Sequence, residues 1–160
     1  MFLVFLSLAA VEAWSPPAQA IWTGEKPSIN VQLHGGMVSM RNKAAIKVDL
    51  TAKKDGLAVS PFLQPMRGIA FEVRSMEGQP LDPAEPMMPS PPPPPLTVDQ
   101  LTPVTRAKPV SVVTDELSRT IFPGPGRYKV RAHLFFFTGN STPARYAEIL
   151  SDTIEMTVKP

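Results

Sequence analysis

The sequence has no cysteine, which removes disulfides, thiolate zinc sites and cysteine nucleophiles together. It also lacks a long hydrophobic run. The most apolar stretch, MFLVFLSLAAV at residues 1–11, falls well short of the roughly twenty residues that a bilayer-spanning helix needs. Charge of one sign is scarce: sixteen Lys and Arg stand against fourteen Asp and Glu, and only Lys53 and Lys54 are adjacent. No stripe suited to a phosphate backbone is visible along the chain, so nucleic acid is not an expected partner. The templates of catalysis are missing as well. There is no H-E-x-x-H, no G-x-S-x-G and no S-x-x-K, and Gly124-x-Gly126 precedes a strand pattern, so no helix N-terminus is there to cradle a phosphate. Asp115 and Glu116 are a candidate carboxylate pair, but neighbours on a strand point to opposite faces, and a solvated loop is their expected home. No enzymatic activity and no cofactor are expected.

What is present in excess is proline, twenty residues of it, spread along the chain and clustered in PMMPSPPPPPL at 86–96. Proline has no N–H for a helix or sheet ladder, so it collects in turns, edges and loops, and many loops imply many short elements. A hydrophobic content of 43% over 160 residues supports one self-sufficient core. The apolar run at the N-terminus is followed by a polar stretch ending Ala18-Gln19-Ala20. That is the anatomy of a secretory signal peptide over 1–20, although no Lys or Arg precedes the run and Glu12 follows it. The expected mature chain begins at Ile21 and works in the periplasm or outside the cell.

Beyond residue 27 the apolar spacing is two. Ile46, Val48, Leu50 and Ala52 share one face of KAAIKVDLTAK, with Lys47, Asp49, Thr51 and Lys53 on the other. The same alternation runs through Ile29, Val31 and Leu33, through Ile69, Phe71 and Val73, and through Tyr128, Val130, Ala132, Leu134 and Phe136. It returns in Ile154, Met156 and Val158. Val110 and Val112 indicate a sixth strand, and LTVDQL at 96–101 a seventh. Gly35-Gly36, Asp55-Gly56, Glu77-Gly78, the Pro123 to Gly126 repeat and Gly139-Asn140 punctuate these runs as turns. About seven short strands between turns predict an all-β, antiparallel sandwich over 21–160, with a proline-rich loop at 82–95.

Three segments carry a resemblance. Pro125-Gly126-Arg127-Tyr128-Lys129-Val130-Arg131-Ala132 resembles the late-strand start of immunoglobulin-like and fibronectin-type-III-like domains of exported bacterial proteins. Residues 151–158 are similar to their closing strand, and Phe71-Glu72-Val73-Arg74 with Glu77-Gly78 to their central strand and turn. The likeness covers residues 28 to 159 loosely. It implies an Ig-like β-sandwich and carries no catalytic residue; the Cys, Trp, Cys set of antibody domains is absent.

The candidate contacts are few. In Phe135-Phe136-Phe137, alternation buries Phe136 and leaves Phe135 and Phe137 outward, a pair suited to a protein partner. The five prolines at 91–95 favour a stiff extended segment, which reads as a rigid crossover that holds Met87 and Met88 for loop-borne contact. His34, Met37 and Met40 offer imidazole and thioether ligands of the kind that favour cuprous copper, which makes a periplasmic copper-binding protein the alternative reading. A further alternative is a protease-inhibitor-like sandwich with the proline loop as bait. His133 shares a face with Lys129 and Arg131 and reads as surface or sheet edge. Asn140-Ser141-Thr142 matches the glycosylation pattern and reads as a polar turn. The function predicted from sequence is that of a non-catalytic binding or accessory module.

Overall fold

The computed structural model describes residues 21–22, 29–53, 57–59, 61, 63, 68–87, 98–138 and 145–160, with backbone course alone at 21–22, 98, 135–138 and 145–148. The described residues form eleven strands: β1 (Ile21–Trp22), β2 (Ile29–His34), β3 (Met37–Ser39), β4 (Lys47–Ala52), β5 (Leu57–Val59), β6 (Ile69–Arg74), β7 (Thr102–Val104), β8 (Val110–Val113), β9 (Gly126–Thr138), β10 (Arg145–Leu150) and β11 (Ile154–Lys159). Among the described residues there is no α-helix, only 3-10 turns at Val98–Gln100 and Ser118–Thr120.

The alternation in the sequence becomes the pleat. Along β2 and β4 every second residue is buried: Ile29, Val31 and Leu33 on one, Val48, Leu50 and Ala52 on the other. These strands pair antiparallel, and β8 joins the far side of β4, which makes a three-stranded sheet ordered β2, β4, β8. The second sheet has eight strands and is organised by β9. One edge of β9 takes β11 against Gly126 to Val130 and then β10 against His133 to Thr138; the other takes β6 and, past it, β5. No barrel closes. Buried residues of both sheets form a single cluster, with Leu50 and Val48 from the small sheet meeting Ile69, Val130, Leu134 and Met156 of the large one. Phe122, fully buried after the second 3-10 turn, joins it and stacks on Tyr128 with ring centroids 5.7 Å apart.

The two glycines at 35 and 36 are more than turn punctuation. They carry the chain from one sheet to the other, since β2 pairs with β4 and the next strand, β3, runs parallel to β11. A Cβ on Gly35 would lie 2.8 Å from the Met156 sulfur, so only glycine lets the backbone cross this close to β11. The seventh strand expected in LTVDQL is displaced where the structure describes it. Val98–Gln100 is a 3-10 turn, and the extended segment comes after it as β7, antiparallel to β5.

β10 and β11 are one strand interrupted. Leu150 faces His133 and Ile154 faces Val130, so three residues on this side oppose two on β9, the signature of a β-bulge. Ser151 closes the gap with both of its groups. Its N–H donates to Ala132 O at 2.8 Å, and its Oγ accepts the Ala132 N–H at 2.8 Å. At the start of β9, the Tyr128 hydroxyl turns back to donate to Gly124 O at 3.0 Å and stands 3.3 Å from Pro125 O.

Candidate functional site

Strand parity sorts the charges. On β9 the even residues Tyr128, Val130, Ala132 and Leu134 are buried, so Arg127, Lys129, Arg131 and His133 face outward. On β6 the core takes Ile69 and Val73 and leaves Glu72 and Arg74 outside; on β11 it takes Met156 and Val158 and leaves Glu155, Thr157 and Lys159 outside. Register then sets these rows side by side: Glu72 opposite Arg131, Arg74 opposite Lys129, and Lys129 opposite Glu155. The outer positions of these three strands hold five cations, Arg74, Arg127, Lys129, Arg131 and Lys159, against two carboxylates, Glu72 and Glu155. That surplus of three positive charges exceeds the net +2 of the whole chain. Cations that look dispersed along the sequence are gathered on one face.

The face has internal order. Glu72 accepts from Arg131 Nε and from Arg74 Nε, and a third bond ties Arg74 Nη1 to Gly78 O at 2.8 Å. Partial burial pushes the Glu72 carboxyl up, and the two guanidiniums more than reverse this, which holds it below the usual carboxylate range. Arg127 Nη2 donates to Glu155 Oε2 at 2.8 Å with both groups well exposed. Lys129 sits between these pairs, and the anion it influences beyond the face is Glu77 at the β6 turn. Met37, 64% exposed, borders the face on β3, and Leu150 borders it on β10.

The small sheet presents a different surface. Asp49 at its centre accepts from Lys47 Nζ at 2.8 Å and from Ser111 Oγ, with His34 Nε2 at 3.1 Å. The bonds from Lys47 and then Ser111 hold its carboxyl below the ordinary range. This is a compensated network of both signs.

The residues singled out from sequence are scattered. His34 points out of the small sheet toward Asp49, Met37 points out of the large sheet, and Met40 is half-buried against the core, so the three do not converge. Among the described residues no group of three or more His, Asp or Glu is placed to hold a metal ion. Met87 is half-buried, two residues after Glu85, which is fastened to Arg119 by its N–H at 2.9 Å and an ion pair at 2.8 Å. Phe135 and Phe137 lie on β9, with backbones opposite Glu148 and Tyr146. Met88, the prolines at 91–95, residues 1–20 and Asn140 lie outside the described residues. Asp115 is exposed and pairs with Lys43. The sequence reading missed the basic face because Arg74 and Lys159 join the β9 row only through strand register.

No family model matches the chain, and neither a curated protein nor a solved structure is significantly similar to it. Chemically, the face can hold anionic groups against a rigid sheet at several points at once.

Proposed function

We propose that the chain is an exported, non-catalytic recognition module of the Ig-like β-sandwich type, and that it binds a protein partner through the outer face of its larger sheet. The observation that carries this reading is the collection of five cations from three strands on a single rigid face. The Ig-like assignment is supported by one strand that switches sheets to run parallel to the last, by the order β2, β4, β8 opposite β3, β11, β9, β6, and by the tyrosine corner at Tyr128. Export is supported by the signal-like pattern of residues 1–20. Phe135 and Phe137, further along β9 and opposite Glu148 and Tyr146, are the aromatic residues we assign to the same contact.

The test places a photo-crosslinking residue at Thr157, on the face, and exposes the protein to the extracellular or periplasmic fraction of its own host. A discrete crosslinked partner is expected with the wild-type surface and is lost in the Lys129→Glu/Arg131→Glu variant while its far-UV circular dichroism is unchanged. A partner retained equally by the charge-reversed protein overturns the assignment of this face.

A further inference from the structure

The outer row of β9 has a period as well as a charge. Arg127, Lys129 and Arg131 occupy alternate positions of one continuous strand, so their Cα atoms step by roughly 7 Å. An extended peptide places its own alternate side chains at the same step. Building on the proposed recognition role, we infer that the ligand of this face is an extended acidic segment of a protein, with carboxylates at every second residue, lying along β9.

Two features favour carboxylates. The face already binds them: Glu72 is held by Arg131 and Arg74, and Glu155 by Arg127 at 2.8 Å, so the guanidiniums are oriented for carboxylate geometry by the protein's own side chains. These two glutamates are also internal competitors, and they set the order of events. An incoming carboxylate meets Lys129 first, because that cation has no direct carboxylate partner on the face, and then displaces Glu72 from Arg131. A duplex or a sulfated chain is a poorer match, since its closely spaced anions would be pressed against Glu72 and Glu155 with no freedom to place a neutral group there. Met37 and Leu150 at the margins offer apolar anchorage, which a protein segment can use and a polyanion cannot.

The competitor role gives a prediction of unusual sign. Glu72→Gln removes two ion pairs from the protein, those with Arg74 and Arg131, and yet is expected to tighten binding of an alternating Glu-Ser peptide about two- to fivefold. Lys129→Glu is expected to weaken it at least about tenfold and is the safer variant to fold, since Lys129 closes no ion pair among the described residues. Titration of the isotope-labelled full chain by NMR reads both, with an alternating Lys-Ser peptide, heparin and duplex DNA as comparison ligands at the same salt. Saturable shifts confined to the outer positions of β6, β9 and β11, with the two variants moving affinity in opposite directions, support the inference. Absence of saturation, shifts centred elsewhere, weaker binding by Glu72→Gln, or tighter binding of heparin or DNA overturns it. If the crosslinked partner is lost on charge reversal while the peptide does not bind, the acidic-segment inference falls and the recognition role stands.

Discussion

Tyr128 shows how much one side chain settles. Its ring packs on Phe122, and its hydroxyl reaches back four residues to Gly124 O at 3.0 Å. The return path is open only because residue 126 is glycine: a Cβ there would stand 2.7 Å from the Tyr128 oxygen. Burial raises the phenol's pKa, so the group stays a neutral donor across the physiological range. Tyr128→Phe keeps the ring and deletes the bond. It is expected to cost about 1 kcal/mol in urea denaturation, the ordinary net worth of a neutral hydrogen bond. An unchanged midpoint and slope would mean that the hydroxyl is not a tie between the turn and β9. The signal for this device was present in the sequence as Pro125-Gly126-x-Tyr128, but the ring's neighbour was not, since Phe122 lies outside any alternating run.

At the scale of elements, the bulge between β10 and β11 is the feature whose removal has the clearest consequence. Ala132 is fully buried, and its N–H has Ser151 Oγ as acceptor where the regular ladder is interrupted. Ser151→Ala leaves that donor buried without a partner, at an expected cost of about 1–3 kcal/mol. Faster hydrogen exchange at the Ala132 amide should accompany the loss; unchanged exchange would show that the ladder closes without the serine. The same region explains the limits of sequence reading. β2, β4, β6 and β11 were legible because each keeps a strict inward row of apolar residues such as Ile29, Val31 and Leu33. β10, reading RYAEIL, has no such row over its length, and β3 and β5 are three residues each, fixed by partners distant in sequence. The outward row of β9 was legible as alternation, with His133 on the face of Lys129 and Arg131. Its enlargement by Arg74 and Lys159 depends on pairing of β6 and β11 with β9, which no local pattern specifies.

Over the whole molecule, each sheet carries on its outer face a carboxylate held by at least two partners, Asp49 on the small sheet and Glu72 on the large, and the two layers share one core. Both folded-state pKa values lie below the ordinary ones, Asp49 through bonds from Lys47 and Ser111, and Glu72 because Arg131 and Arg74 outweigh the opposing effect of partial burial. In the unfolded chain these groups titrate at about 4. The unfolded state therefore binds more protons in the window between the folded and unfolded values, and stability from both groups is complete above about pH 5 and is lost as pH falls through the folded pKa values. Urea midpoints are expected to be level from about pH 7 to about pH 5 and to decline below about pH 4. Asp49→Asn and Glu72→Gln should each lower the midpoint at neutral pH and flatten the acid decline, and together they should flatten it most. Because the shared core couples the layers, circular dichroism and the fluorescence of a tryptophan probe introduced at Phe122 are expected to report one transition at every pH. A double variant whose acid decline matches the wild type would remove these two carboxylates as its cause. Separate transitions for the two probes would show that the sheets unfold independently and that the core does not bind them into one unit.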